Sequence, residues 1–177
     1  MRIAYFNANL KVGQDGVTRV VYKMIKGTLE RNHEAIAVTS TLPDASQQVV
    51  PMYKVPSVVL SLQKAFRIAL PGYQSFSAIL QKFQPDVLHI NSPCTLGFAA
   101  VKYAKHFAVP IVATYHTHFS TYPRYYKLTK LEDLTWRMSR NLYNNVERTL
   151  LPTSLILEEL RVHNVSNFHY LHSHKAA

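Results

Sequence analysis

The sequence is poor in cysteine, in acidic residues and in long apolar runs. Its 177 residues include a single cysteine, Cys94, so no disulfide framework can form within the chain. No segment approaches the roughly 20 apolar residues that a bilayer-spanning helix needs. The N-terminal MRIAYFNANL also lacks the apolar stretch of a signal peptide. These absences predict a cytoplasmic protein, and its 47% apolar content is enough for a packed core.

Acidic side chains are scarce in the middle of the chain. The sequence has 20 Lys and Arg against 10 Asp and Glu, a formal net charge of +10, and Asp86 is the only acidic residue between positions 45 and 131. Such a bias favours an anionic partner: nucleic acid, an anionic membrane surface or a phosphorylated ligand. Charge alone does not choose among these, and a basic surface without a specific partner remains an alternative.

Strand-like and helix-like segments alternate along most of the chain. A short apolar run at 2–8 is followed by the glycine-containing loop KVGQDG and by VTRVVYKMIKGTLERN, whose apolar residues recur every three or four positions. The order strand, helix, strand then repeats in DVLHINS, TLGFAAVKYAKHF and PIVATYH. Continuous apolar strands separated by helices predict a Rossmann-like, doubly wound α/β domain with a mostly parallel sheet and helices on both faces. We expect this domain to span residues 1–163, with a tail at 164–177.

The remaining segments are less regular. Residues 34–40 read as a second strand, 49–59 as a weaker third strand interrupted by prolines, and 74–83 as a helix. Beyond the tyrosine-rich loop, residues 131–148 have apolar residues at helical spacing: Leu131, Leu134, Met138, Leu142 and Val146. A short apolar piece at 149–154 then precedes a helix at 155–163. His169, His172 and His174 fall where we expect a frayed tail.

The predicted fold places a binding site at the carboxyl ends of the strands. The loops concerned are 9–16, 91–95 and 116–126. Gly16 opens the first helix, whose N-terminal amides can bind an anion, and His116 ends a strand where it can donate to a phosphate or a sugar hydroxyl. His118 lies on the same side if the chain stays extended. No third ligand accompanies the two histidines, so no metal site is predicted.

Two basic segments suggest contact with a membrane, a sugar or single-stranded nucleic acid. Residues 57–73 have apolar side chains every four positions with Lys64 and Arg67 among them, which predicts an amphipathic helix that packs on the sheet or lies in a membrane interface. The loop FSTYPRYYKLTK mixes aromatic rings with cations, as sites for single-stranded nucleic acid, sugars or lipid headgroups do. No nucleic-acid-binding motif accompanies it, so nucleic acid is the less favoured partner.

Several segments carry a family resemblance when taken in order. They are DGVTRVV at 15–21, ERNHEAIAVTS at 30–40, QPDVLHINSP at 84–93, VPIVATYHTHF at 109–119, YPRYYKL at 122–128 and RTLLPTSLILEEL at 148–160. Together they resemble the N-terminal half of retaining glycosyltransferases of the GT-B fold. The branch concerned includes bacterial α-mannosyltransferases and sulfolipid or diacylglycerol glycosyltransferases.

The resemblance implies roles for individual residues. Gly16 would lie against the donor diphosphate, and His116 would be the catalytic histidine beside the transferred sugar. Asp15 occupies a place where the family commonly has a first glycine, and His118 stands where an acidic or amide residue is usual. The residues expected to contact the acceptor are His118, Tyr122, Arg124, Tyr125 and Tyr126.

The resemblance also implies a missing half. The family builds its active site between two domains, and the C-terminal one supplies most of the nucleotide-sugar pocket. We therefore expect a truncated chain that is inactive alone, needs no cofactor, and belongs to an enzyme that transfers a hexose from a nucleotide sugar to a lipid or glycan acceptor. Peripheral contact with the inner face of the plasma membrane and self-association through the exposed interdomain face are further expectations. The alternative is a non-enzymic α/β module that binds anionic membrane or nucleic acid through its basic middle.

Overall fold

The computed structural model describes residues 1–13, 15–59, 67–70, 73–116 and 131–170. The strands are β1 (Arg2–Asn7), β2 (Glu34–Thr39), β3 (Met52–Lys54), β4 (Ser57–Val59), β5 (Arg67–Ala69), β6 (Val87–Ile90), β7 (Ile111–Thr114), β8 (Arg148–Leu151) and β9 (Phe168–Tyr170). The α-helices are α1 (Gly16–Glu30), α2 (Tyr73–Phe83), α3 (Thr95–Phe107), α4 (Glu132–Tyr143) and α5 (Ser154–Val162).

Seven of the described strands form one parallel sheet. Their order is β3-β2-β1-β6-β7-β8-β9, and each neighbouring pair is parallel. The chain winds outward from β1 to β3 and then returns to the other side of β1 as β6, so strand order reverses between β1 and β6. This arrangement confirms the predicted Rossmann-like α/β class, and it fixes the position of the topological switch point.

The core lies on both faces of this sheet because successive strand residues point to opposite sides. Tyr5 packs with Val21 and Ile25 of α1 on one face. Its neighbours Ala4 and Phe6 belong to a larger buried cluster that joins the sheet to α2, α3, α4 and α5. Helices therefore cover both faces, as expected for a doubly wound domain.

Glycine 97 allows α3 to approach the end of β6 closely. A Cβ at this position would lie 2.9 Å from the carbonyl oxygen of Ser92 and 3.1 Å from Cγ2 of Ile90. Both distances are shorter than normal van der Waals contact, so only glycine fits without displacement of the backbone. The contact fixes the segment that follows β6, which borders the switch point.

The predicted helix over 57–73 is wrong in its described parts. Residues 57–59 and 67–69 pair as the antiparallel strands β4 and β5, with Val58 opposite Ile68. The ends of the segment with apolar residues every four positions therefore form paired strands, and residues 60–66 lie outside the described part of the chain. The single weak strand expected at 49–59 is also two strands, β3 and β4, separated at Val55 and Pro56.

The sheet continues past residue 163, where the predicted domain boundary lies. Strand β9 pairs with β8, and His169 lies opposite Leu150, so the expected frayed tail does not include His169. His172 and His174 lie outside the described residues. The helix predicted over 131–148 is observed as α4, which ends at Tyr143. Leu142 is buried as predicted and Trp136 is buried with it, whereas Leu131 and Leu134 are 44% and 48% exposed.

Within the described part of the chain, no helix combines the length and the hydrophobicity needed to cross a bilayer.

Candidate functional site

The switch point is marked by polar side chains at the ends of two apolar strands. Asn7 ends β1 and Asn91 follows β6, and their exposed fractions are 3% and 2%. The hydroxyl of Ser92 donates to Oδ1 of Asn7, and the backbone N–H of Asn91 donates to the Phe6 carbonyl over 2.8 Å. Buried polar groups are costly unless they are hydrogen-bonded, so these contacts hold the two strand ends in fixed positions relative to each other.

The loop between β1 and α1 is closed by the side chain of Asp15. Its Oδ1 accepts the backbone N–H of Thr18 over 2.6 Å, which makes Asp15 the N-cap of α1. Its Oδ2 accepts the Nδ2–H of Asn9 over 3.1 Å, and the Thr18 hydroxyl donates to the Asn9 carbonyl over 3.0 Å. The carboxylate thus occupies part of the helix N-terminus and adds a negative charge where an anion was expected to bind.

Glycine 16 is not required by the fold of the described residues. It is helical, its φ is not in the left-handed region, and a Cβ there would meet no described atom within 4 Å. Gly13 differs, because its φ of +84° lies in the left-handed region that favours glycine. The open space beside Gly16 therefore leaves room for close approach of another molecule to the first turn of α1.

His116 lies two residues beyond the end of β7 and beside the same switch point. Its Nε2 is 3.0 Å from Oδ1 of Asn91, a residue of the neighbouring strand end. The side chain is half-buried, and burial lowers its pKa to about 4, although the Asp15 carboxylate acts in the opposite direction. The imidazole is therefore neutral near pH 7, with one nitrogen protonated and the other able to accept.

A second histidine lies close to His116. His89, in β6, is 6% exposed, its Nε2 is 2.8 Å from the Thr114 hydroxyl, and its ring stacks on Tyr5 at a centroid distance of 5.3 Å. Burial, and secondly the neighbouring His116, lower its pKa to about 3. Tyr5 in turn is hydrogen-bonded to Thr28 over 2.7 Å. These contacts connect His89 through Tyr5 to Thr28 of helix α1.

The structure brings two of the predicted site residues to one edge of the sheet. Gly16 and His116 both lie by the switch point, and the Asp15 cap of α1 is close enough to His116 to affect its pKa. Sequence reasoning assigned no role to Asn91 or His89, although a polar residue within or just after an apolar strand was a usable signal. The predicted acceptor contacts lie outside the described residues: His118, Tyr122, Arg124, Tyr125 and Tyr126.

Among the described residues, no three His, Cys, Asp or Glu side chains are grouped so that they could hold a metal ion. The described groups at this edge offer hydrogen bonding by a neutral imidazole, by amides and by the first turn of a helix.

Comparison with known proteins places this site in a family. The model of Glycosyltransferase Family 4 matches residues 14–172. The chain belongs to glycosyltransferase family 4. The matched range includes Gly16, Asn91 and His116, so the family domain contains these three residues of the described site. The expected resemblance to glycosyltransferases is confirmed.

Individual relatives share the family but are longer. A GDP-mannose-dependent alpha-mannosyltransferase of Corynebacterium glutamicum is 27% identical over 176 residues, which cover 96% of this chain and 42% of that protein. An alpha-monoglucosyldiacylglycerol synthase of Streptococcus pneumoniae is 24% identical over 172 residues, 93% of this chain and 38% of that protein. The family 4 chain thus spans less than half the length of these curated relatives.

Solved structures support the fold. Sucrose-phosphate synthase from Thermosynechococcus elongatus superposes with a TM-score of 0.72 and 12% identity, over 96% of this chain and 47% of that one. At this identity the likeness shows the fold alone, and it confirms the predicted Rossmann-like half of a GT-B architecture.

Proposed function

We propose that this chain is the acceptor-side half of a hexosyltransferase, which moves a hexose from a nucleotide sugar to a lipid or glycan acceptor with retention of configuration. The observation that carries the proposal is the convergence of His116, Asn91 and the open first turn of α1 at the switch point of a family 4 domain. The curated relatives support the substrate classes, since one is a GDP-mannose-dependent mannosyltransferase and another a glucosyldiacylglycerol synthase.

Each residue has a role that suits its chemistry. The neutral His116 orients a substrate by hydrogen bonding, and its low pKa makes it a poor proton donor at neutral pH. The open side of Gly16 lets the donor diphosphate approach the first-turn amides of α1, which stabilise charge that develops on the leaving group. We assign no enzymic base.

The carboxylate of Asp15 moderates this anion site. It caps α1 and places a negative charge beside the position proposed for the diphosphate. We infer that the donor must be bound mainly by cationic or amide groups outside this chain, in the second domain of a two-domain enzyme. This agrees with the short span of the chain relative to its relatives, and it predicts little or no transfer by the chain alone.

The acceptor and the location of the enzyme are further parts of the proposal. We place the acceptor against the segment that contains Tyr122, Arg124, Tyr125 and Tyr126, together with His118. Aromatic side chains and a cation close together in the sequence suit a sugar or a lipid headgroup. A cytoplasmic enzyme in peripheral contact with the inner face of the plasma membrane suits a lipid acceptor and the net charge of +10. Self-association through the interdomain face remains part of the same proposal.

The test is a transfer assay with the full-length protein that contains this chain. Purified protein is incubated with a panel of labelled nucleotide sugars and with vesicles that contain diacylglycerol or monoglucosyldiacylglycerol, and labelled glycolipid is quantified. The proposal predicts transfer from at least one donor. The opposite result is no transfer from any donor, together with binding to vesicles or nucleic acid that is lost in high salt and is unaffected by sugars. That result would instead support a non-enzymic binding module.

A further inference from the structure

The amide of Asn91 has one orientation that satisfies both of its neighbours. Its Nδ2 lies 3.4 Å from the carbonyl oxygen of His89, and its Oδ1 lies 3.0 Å from Nε2 of His116. A carbonyl oxygen can only accept, so Nδ2 must face His89 and Oδ1 must face His116. Because the exposed fraction of Asn91 is 2%, water does not compete for either group.

This orientation determines which nitrogen of His116 carries the proton. Oδ1 of Asn91 can only accept, so the contact is a hydrogen bond only when Nε2 of His116 is protonated. The low pKa of His116 keeps the ring neutral at pH 7, so its other nitrogen, Nδ1, then has a free lone pair. Within the described residues no hydrogen-bond partner of Nδ1 is present.

We infer that Asn91 is a positioning residue that holds His116 in the Nε2-protonated tautomer and thereby makes Nδ1 a hydrogen-bond acceptor. The group that His116 meets is then a hydroxyl, which donates to Nδ1, and not a phosphate oxygen, whose lone pairs would face the lone pair of the ring. This inference rests on the proposed function only for the identity of that hydroxyl, which belongs to the transferred sugar or to the acceptor.

The backbone makes Asn91 a rigid support. Its N–H donates to the Phe6 carbonyl across the switch point, and Gly97 packs α3 against the neighbouring Ser92. The groups that titrate near His116 among the described residues are His89, which is buried and neutral, and the exposed Asp15, which raises the pKa of His116. Neither supplies an alternative acceptor for Nε2–H, since no hydrogen bond joins them to that atom in the described part of the chain.

The tautomer can be read by NMR in this chain without any substrate. Long-range ¹H–¹⁵N correlations of the imidazole rings, assigned with His116→Gln, distinguish a protonated from an unprotonated nitrogen. We expect a protonated Nε2 whose ring N–H exchanges slowly with water, and an unprotonated Nδ1. In Asn91→Leu the slow N–H signal should disappear, while the exposed control Asn141→Leu should retain it. An unprotonated Nε2 in the wild-type chain, or a slow N–H signal that persists in Asn91→Leu, would overturn the inference.

Asn91→Asp provides a second test, because Asn91→Leu removes buried hydrogen bonds and could fail to fold. The carboxylate keeps the acceptor but adds a charge next to His116, so the pKa of His116 should rise by about 1–3 units. An unchanged pKa would show that residue 91 does not contact the ring and would refute the assignment.

The full-length protein separates this inference from the proposed function. If transfer occurs, the acid limb of its pH profile should move upward in Asn91→Asp by the shift measured for His116, which a purely structural role would not produce. A transferase whose acid limb stays in place would contradict the positioning role alone. Absence of transfer in the wild-type protein would contradict the proposed function and leave the NMR result to decide the tautomer.

Discussion

Replacing Asp15 with alanine should destabilise the chain by removing the N-cap of α1. The 2.6 Å bond from the Thr18 N–H to Oδ1 is lost, and the amide of Asn9 loses its 3.1 Å bond to Oδ2. Loss of an N-cap costs about 1 kcal/mol, within a range of roughly 0.5–2 kcal/mol. Because Asp15 is exposed, we add nothing for its charge. For a domain of this size the melting temperature should fall by about 2–4 °C for each kcal/mol.

Asp15→Asn is the matched control for this prediction. Asparagine caps a helix about as well as aspartate, so the free energy of unfolding in urea should stay close to that of the wild-type chain. The carboxylate charge is removed, however, and the pKa of His116 should fall below its value of about 4, since Asp15 raises it. Equal stability of Asp15→Ala and the wild-type chain, or equal losses in Asp15→Ala and Asp15→Asn, would refute the capping argument.

Three further predictions concern the same edge of the sheet. Gly16→Ala should not lower the stability of the chain, because its Cβ meets no described atom, but it should reduce transfer by the full-length protein; equal activity would remove Gly16 from the site. Gly97→Ala should destabilise the chain by about 1–3 kcal/mol in urea unfolding, because its Cβ would lie 2.9 Å from the Ser92 carbonyl, and a neutral result would contradict the close packing of α3. Burial lowers the pKa of His116 to about 4 and that of His89 to about 3, so on acidification the unfolded chain binds protons before the folded chain does. The free energy of unfolding should therefore fall as pH decreases from about 6.5 to 4. His116→Gln should reduce the slope of this dependence, and an unchanged slope would argue against a buried, neutral His116.

The regular part of the fold could be predicted because its signals are local. β1, α1, β6, α3 and β7 each carry their own periodicity, and the alternation of strands and helices indicates a parallel sheet without knowledge of strand order. The pairing of β4 with β5 could not be predicted in this way, since the register that sets Val58 opposite Ile68 depends on contact between two separate segments. Spacing counted along the sequence does not distinguish one helix from two short strands.

The candidate site was predictable in position but not in its internal contacts. Gly16 and His116 could be placed at the carboxyl edge because the fold class alone predicts which loops meet there. The contact between Asn91 and His116 depends on β6 and β7 being neighbours, and the two residues are 25 positions apart. The N-cap by Asp15, in contrast, is a local contact to Thr18 three positions on, and an aspartate directly before a helix was a usable signal for it.

The measurement that tests the central claim most directly is hexose transfer by the full-length protein with and without the His116 side chain. His116→Ala is compared with His106→Ala, an exposed histidine near the end of α3, at the opposite edge of the sheet. The account predicts that transfer falls strongly in His116→Ala, that His106→Ala retains the wild-type rate, and that both variants remain folded by circular dichroism. Wild-type turnover in His116→Ala would contradict a transferase site at the switch point of β1 and β6.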